Sequence, residues 1–95
     1  VGRALLADPE WAAKVRDGYT CQVCGINLAV LYGPLGLGVA EAHHRVALSS
    51  PLARAKTRVD DLVTVCPNCH RMLHRLSPDR DGVPELRQRL TRRWP

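Results

Sequence analysis

Cys21-Gln22-Val23-Cys24 and Cys66-Pro67-Asn68-Cys69 form two C-x-x-C pairs separated by 41 residues. Between them lies Glu41-Ala42-His43-His44, and directly after them come His70 and His74. Every cysteine and every histidine of the chain belongs to this set. Zn²⁺ takes four tetrahedral ligands, and two C-x-x-C turns converging from distant sequence offer a closed Cys₄ structural site. A redox dithiol needs only one pair and leaves the second without a purpose; disulfides are the other alternative. The histidines offer a separate site. His70 and His74 stand four apart, on adjacent turns of a helix, where they can clamp one divalent ion. The competing reading is two solvated histidines on a basic helix. His43 and His44 are neighbours on an expected strand, so their side chains diverge. One can bind metal while the other faces a substrate as a base.

These groups need elements to position them. Asp8-Pro9-Glu10 predicts a helix start, with Asp as N-cap, Pro at the first helical position and an acid in the first turn. Trp11, Val15 and Tyr19 form its expected apolar stripe, and Gly18 its stop. The first C-x-x-C ends in Gly25 and has the form of a zinc knuckle. Residues 26–40 are apolar but broken by Gly33-Pro34, Gly36 and Gly38, which predicts a short apolar segment, a turn and a strand beginning near Val39. Glu41 to Leu48 is the expected strand and its exit, ended by Ser49-Ser50-Pro51. Residues 52–60 read as a basic loop. Leu62-Val63-Thr64-Val65 predicts a short strand running into Cys66. A helix is expected from Asn68, with Cys69, Met72, Leu73 and Leu76 on one side, and Ser77-Pro78-Asp79 as its stop. Pro84 to Arg93 predicts a last basic helix.

A chain of 95 residues is one domain on length. At that size a hydrophobic core is marginal, so a staple is expected. No stretch of about 18 apolar residues occurs, which excludes a transmembrane helix. The N-terminus lacks the layout of a signal peptide, so an intracellular setting is expected, and with it metal ligation in preference to disulfides. A chain that starts at Val is expected to be a domain excised from a larger protein. The formal charge of +5 is uneven: residues 1–50 carry four basic and four acidic side chains, and residues 51–95 carry ten and five. Twelve of the fourteen basic residues are Arg. Such asymmetry suits a polyanion such as nucleic acid, although a solvated basic surface has the same composition.

Glu41-Ala-His-His-Arg-Val-Ala-Leu followed by Asp61-Leu-Val-Thr-Val-Cys-Pro-Asn-Cys-His-Arg-Met-Leu-His resembles the HNH nucleases of the ββα-metal fold. Within them it is most similar to the Cys₄-zinc domains of modification-dependent, methylcytosine-type restriction endonucleases. The resemblance covers about residues 18–76. It implies an α+β fold: a small ββα-metal unit stapled by structural zinc at Cys21, Cys24, Cys66 and Cys69, with flanking N- and C-terminal helices. It implies that His43, His70 and His74 hold the catalytic ion and that His44 is the general base. Where the family pattern usually has an Asn before the second strand, this chain has Asp61, which can accept a hydrogen bond or position the loop. Asn68 is a weaker candidate for a supporting catalytic role, against its plainer reading as a helix-capping turn residue.

The function implied is metal-dependent hydrolysis of DNA phosphodiester bonds. A neutral His44 imidazole can deprotonate an attacking water. An all-imidazole triad is softer than an oxygen-rich site, so Mn²⁺, Co²⁺ or Ni²⁺ is expected to compete well with Mg²⁺. Arg45, Arg54, Lys56, Arg58, Arg71 and Arg75 are the candidate phosphate contacts. Phosphate contacts position a duplex without specifying its sequence. The expected partner is double-stranded DNA, and recognition of a modified base or a site is expected from a further domain or from a homodimer. The alternative function is a zinc-stabilised nucleic-acid-binding module without catalysis, which would leave the histidines without a role.

Overall fold

A computed structural model describes residues 8–46 and 56–94. The expected strand exit beyond residue 46, the Ser49-Ser50-Pro51 stop and Arg54 lie outside the described residues. The order of elements is α1 (Pro9–Arg16), α2 (Leu28–Tyr32), a 3₁₀ turn (Gly33–Gly36), β1 (Glu41–His44), a 3₁₀ turn (Val59–Asp61), β2 (Leu62–Val65), α3 (Pro67–Leu73) and α4 (Val83–Arg89). The fold is α+β. Among the described residues, no helix is long and apolar enough to cross a membrane.

β1 and β2 pair antiparallel, with Glu41 opposite Val65, His43 opposite Val63 and His44 opposite Leu62. Alternation along β2 would normally bury one face only. Here all four of its residues are buried, because the two-stranded sheet is covered on both sides. Val63 and Val65 pack with Leu73 of α3, Val83 and Leu86 of α4 and the four cysteines. Thr64 points the other way, and its hydroxyl donates to Ala13 O of α1 at 3.3 Å. The outer edge of β2 is closed as well. Gln22 N–H donates to Thr64 O, and Thr64 N–H donates to Asp17 Oδ2. Arg16 donates to Leu62 O at 2.8 Å and to Val59 O at 3.1 Å. No polar backbone group at that edge is left for a foreign strand.

Asp17 is the hub of this edge. Its carboxylate accepts from Arg16 Nε at 2.9 Å as well as from Thr64 N–H at 3.0 Å. Burial pushes the carboxyl pKa up, but the hydrogen bonds from Arg16 and Thr64 outweigh it and hold the group below its ordinary value.

Several expectations are corrected. α1 begins as predicted, with Asp8 accepting from Glu10 N–H. Its inward residue, however, is Ala13, fully buried, whereas Val15 is exposed and Trp11 only partly covered. Thr64 bonds both Asp17 and the Ala13 carbonyl, so α1 meets the sheet through position 13. The helix ends at Arg16, and the left-handed pair Gly18 and Tyr19 (φ 62° and 58°) redirects the chain. Residues 28–32 are helical, because Asn27 caps the segment by accepting from Ala29 and Val30 N–H. α3 is capped by Cys66, whose sulfur accepts from Cys69 N–H, and not by Asn68. It ends at Leu73, before the predicted stop at Ser77, and Met72 is 48% exposed, not part of the core. The last helix ends at Arg89 and not at Arg93.

Removing the hub tests this account. Asp17→Ala leaves the buried Thr64 N–H without its acceptor and frees Arg16. It should lower the unfolding free energy of the metal-loaded protein by about 1–3 kcal/mol. Denaturant titration at neutral pH measures this, and a change below about 0.5 kcal/mol would make the contact incidental.

Candidate metal centre and nucleic-acid groove

Two ligand clusters emerge. The sulfurs of Cys21, Cys24, Cys66 and Cys69 lie within 4.8 Å of one another, and all four residues are buried. The thiols are not disulfide-bonded. Each knuckle is a tight turn in which the second cysteine's N–H points at the first cysteine's sulfur, Cys24 to Cys21 and Cys69 to Cys66, both at 3.4 Å. Gly25 follows the first turn at φ 85°, a conformation that favours glycine. Without a cation the four thiols cannot all ionise together. The hydrogen bond from Cys66 pulls Cys21 down to about 4, while burial and the Cys21 and Cys24 charges push Cys69 up to about 12. A divalent ion that prefers thiolates resolves that conflict, and four buried sulfurs fit zinc.

The second cluster joins β1 to α3. His43, buried on the strand face that meets the helix, comes together with His70 and His74. Their ligand nitrogens also lie within 4.8 Å of one another. The rings of His70 and His74 stand 5.1 and 5.3 Å from that of His43, both nearly perpendicular to it. His43 Nδ1 is buried with no hydrogen-bond partner among the described residues, so protein alone does not complete its environment. Burial, then the nearby His70 and His74, lower the His43 pKa to about 4, which keeps the ring in the neutral form a metal requires. The donor set fits a divalent ion.

His70 is oriented by a residue that the sequence reading left without a role. Glu41 Oε1 lies 2.8 Å from His70 Nδ1. A proton on Nδ1 donates to the carboxylate and leaves Nε2 for the metal. The signal was available: Glu41 and His43 are two apart on a strand and therefore share a face.

His44 stands outside the cluster. Its Nε2 has a long contact with Thr57 Oγ1, at 3.5 Å. It lines an open groove of about 430 Å³ together with His43, Arg45, His70, His74 and Arg80. A second groove of about 350 Å³ is lined by Glu41, Pro67, His70, Arg71 and His74. The histidine cluster thus opens on two sides, and each side carries arginine.

The other candidates are scattered. Arg45 lines the first groove, held there by an ion pair to Asp81 at 2.8 Å. Arg71 lines the second groove; Lys56, Arg58 and Arg75 are exposed but line neither. Asp61 Oδ2 accepts from Arg58 N–H at 2.8 Å, and its carbonyl accepts from Arg45 N–H at 2.9 Å, so it fastens the loop entering β2 to the end of β1. Asn68 is exposed on the first turn of α3 and lines neither groove. Arg80 and Asp81 were missed because they lie in a loop with no local periodicity.

The HNH endonuclease family profile matches residues 21–76, which contain both clusters. The chain belongs to the HNH endonuclease family. The HNH domain is also similar to the type IV methyl-directed restriction enzyme EcoKMcrA of Escherichia coli (strain K12), at 44% identity over 64 residues. That alignment covers 67% of this chain and 21% of the relative, so the HNH domain spans about a fifth of that enzyme's length. No solved structure matches.

Two outcomes test the clusters separately. Structural zinc contributes about 10–16 kcal/mol, as much as the whole stability of a small domain. Cys66→Ser should therefore abolish cooperative unfolding and zinc retention; a folded variant carrying a full equivalent of zinc would remove the structural role. Glu41→Ala should weaken Mn²⁺ or Co²⁺ binding at the histidines about 10-fold or more, read by calorimetric titration. Unchanged affinity would show that Glu41 does not orient His70.

Proposed function

We propose that this chain is the DNA-cleaving domain of a metal-dependent restriction-type endonuclease. The observation that carries the reading is the placement of His44 beside, but not within, the cluster of His43, His70 and His74, at one arginine-bearing groove. A pure binding module has no need of such a division. Family membership and the similarity to a methyl-directed restriction enzyme support the same reading.

In this proposal Zn²⁺ occupies the cysteines, and Mg²⁺, Mn²⁺, Co²⁺ or Ni²⁺ the histidines. His43, His70 and His74 would hold that ion, which would supply positive charge against the negative charge that builds at the reacting phosphate. The imidazole of His44 takes a proton from water at a ring nitrogen as the water's oxygen attacks phosphorus in line. The P–O3′ bond breaks, leaving a 5′-phosphate. Arg45, Arg71 and Arg80 bind flanking phosphates of the duplex and hold it in register. Asp61 keeps the loop before β2 in place instead of acting on substrate. Choice of the DNA site belongs to a further domain, consistent with the small share of the relative that this chain covers.

Plasmid cleavage separates this from the binding-only alternative. With Mg²⁺, Mn²⁺, Co²⁺ or Ni²⁺ added in turn, the wild type should nick or linearise supercoiled DNA. His44→Ala should lose at least about 100-fold of that rate while keeping its DNA affinity and both metals. Equal cleavage by the two proteins would remove His44 as the base. No cleavage with any ion, alongside intact DNA binding, would favour the binding module.

A further inference from the structure

The loop between α3 and α4 lends Pro78, Arg80 and Gly82 to the wall of the first groove. It also carries two acids, Asp79 and Asp81, which line neither groove. Charge alone makes both unfavourable beside a polyanion. Their surroundings differ. Asp79 is exposed, and its carboxylate has no hydrogen bond or ion pair among the described residues. Asp81 is engaged at both carboxylate oxygens. Its Oδ1 accepts from Val83 N–H at 3.0 Å, and its Oδ2 accepts from Arg45 Nη1 at 2.8 Å.

Both ends of this arrangement are fixed. Val83 is 1% exposed and packs in the core with Leu73 and Leu86. A Cβ on Gly82 would stand 3.0 Å from Leu76 Cδ1, so the loop lies against the chain that leaves α3. Arg45 N–H donates to Asp61 O at 2.9 Å, which pins its backbone. Arg45 is therefore held at its backbone and at its guanidinium, directly after His44. An unpaired arginine at a groove would lose rotamer freedom on meeting a ligand. Here that freedom is already spent. Asp81 takes one guanidinium N–H, on Nη1, and the rest of the donor fork is left for phosphate. Arg80, also at this groove, pairs with Glu85 but is 61% exposed, where solvent screens such a pair.

We propose that Asp81 is a positioning residue for DNA, holding the Arg45 guanidinium at the groove for a phosphate beside the histidine cluster. Under the nuclease reading above, on which this assignment rests, Asp81 has two opposed effects. It adds one negative charge near the duplex, and it settles the orientation of Arg45 before DNA arrives. The sign of a neutral substitution tells which effect wins. If Asp81 only repels DNA, neutralising it tightens binding. If it positions Arg45, neutralising it loosens binding.

Fluorescence anisotropy of a short DNA duplex titrated with the zinc-loaded protein, with no other divalent ion added, reads binding without cleavage. Asp81→Asn keeps an Oδ1 acceptor for Val83 N–H and turns the acceptor facing Arg45 into a donor amide. It should raise the dissociation constant about 5–10-fold and shrink the salt dependence of binding by about one phosphate contact, as Arg45→Ala does. Asp79→Asn, an equal charge change in the same loop, should bind as well as the wild type or better. The double variant Arg45→Ala, Asp81→Asn should bind no more weakly than Arg45→Ala, because Asp81 acts only through Arg45. Unchanged or tighter binding by Asp81→Asn would overturn the assignment, and so would additive losses in the double variant. Wild-type affinity in Arg45→Ala would overturn it too, since Asp81 would then have no contact to position. These results leave the nuclease reading standing if the wild type cleaves plasmid and His44→Ala does not. A wild type that neither binds duplex nor cleaves plasmid removes both.

Discussion

Four buried sulfurs within 4.8 Å of one another are the constraint on which the rest of this fold hangs. Their mutual repulsion as thiolates makes the apo arrangement unfavourable and the metal-bound one strongly favourable. Gathering them brings residues 21–24 against residues 66–69 and closes a loop of more than 40 residues. The entropy of that closure grows only slowly with loop length, so one ion can offset it. The same act fixes the start of α3, because Cys66 caps the helix and Cys69 sits on its first turn. His70 and His74 follow within two turns. The orientation of the histidine cluster is thus inherited from the cysteine cluster.

The sheet supplies the third histidine of the cluster with little material. Two strands of four residues are too small to be stable alone. Here β2 is enclosed by α1 on one face, by α3, α4 and the knuckles on the other, and by Asp17, Arg16 and Gln22 along its edge. β1 is then held in register on β2, which puts Glu41 and His43 towards α3. His43 joins His70 and His74, and Glu41 reaches His70, because the two are two apart on one strand face. His44 is free for another task because it is one apart.

The parts of this arrangement readable in the sequence are those encoded by local chemistry. Asp8-Pro9-Glu10 starts a helix through an N-cap that needs no distant partner. The cysteine and histidine spacings announce both clusters, since ligand chemistry restricts which residues can serve. Leu62 to Val65 reads as a strand from its β-branched content. What stayed hidden depends on contacts between distant residues. Ala13 is the inward residue of α1 because Asp17 reaches Thr64, 47 positions away. Arg80 and Asp81 enter the groove only because the chain turns back after α3. The helix at Leu28–Tyr32 was legible in principle from Asn27, but the glycines that follow concealed it. The shorter α3, and the exposure of Met72, show that a periodic stripe outlasts the helix that would display it.

The first knuckle has one further dependence. Its three successive carbonyls, Gln22 O, Val23 O and Cys24 O, accept from Arg87 Nε, an Arg93 guanidinium nitrogen and Trp94 N–H. Those donors lie 65 to 70 positions downstream. During synthesis the knuckle precedes the segment that straps it. Domains generally fold as units, and the N-terminal parts of a chain appear first. The Cys21–Cys24 turn therefore gains its last backbone partners only from Arg93 and Trp94. Completion of the first knuckle is thus coupled to docking of the segment that follows α4, so the cysteine cluster and that segment close together.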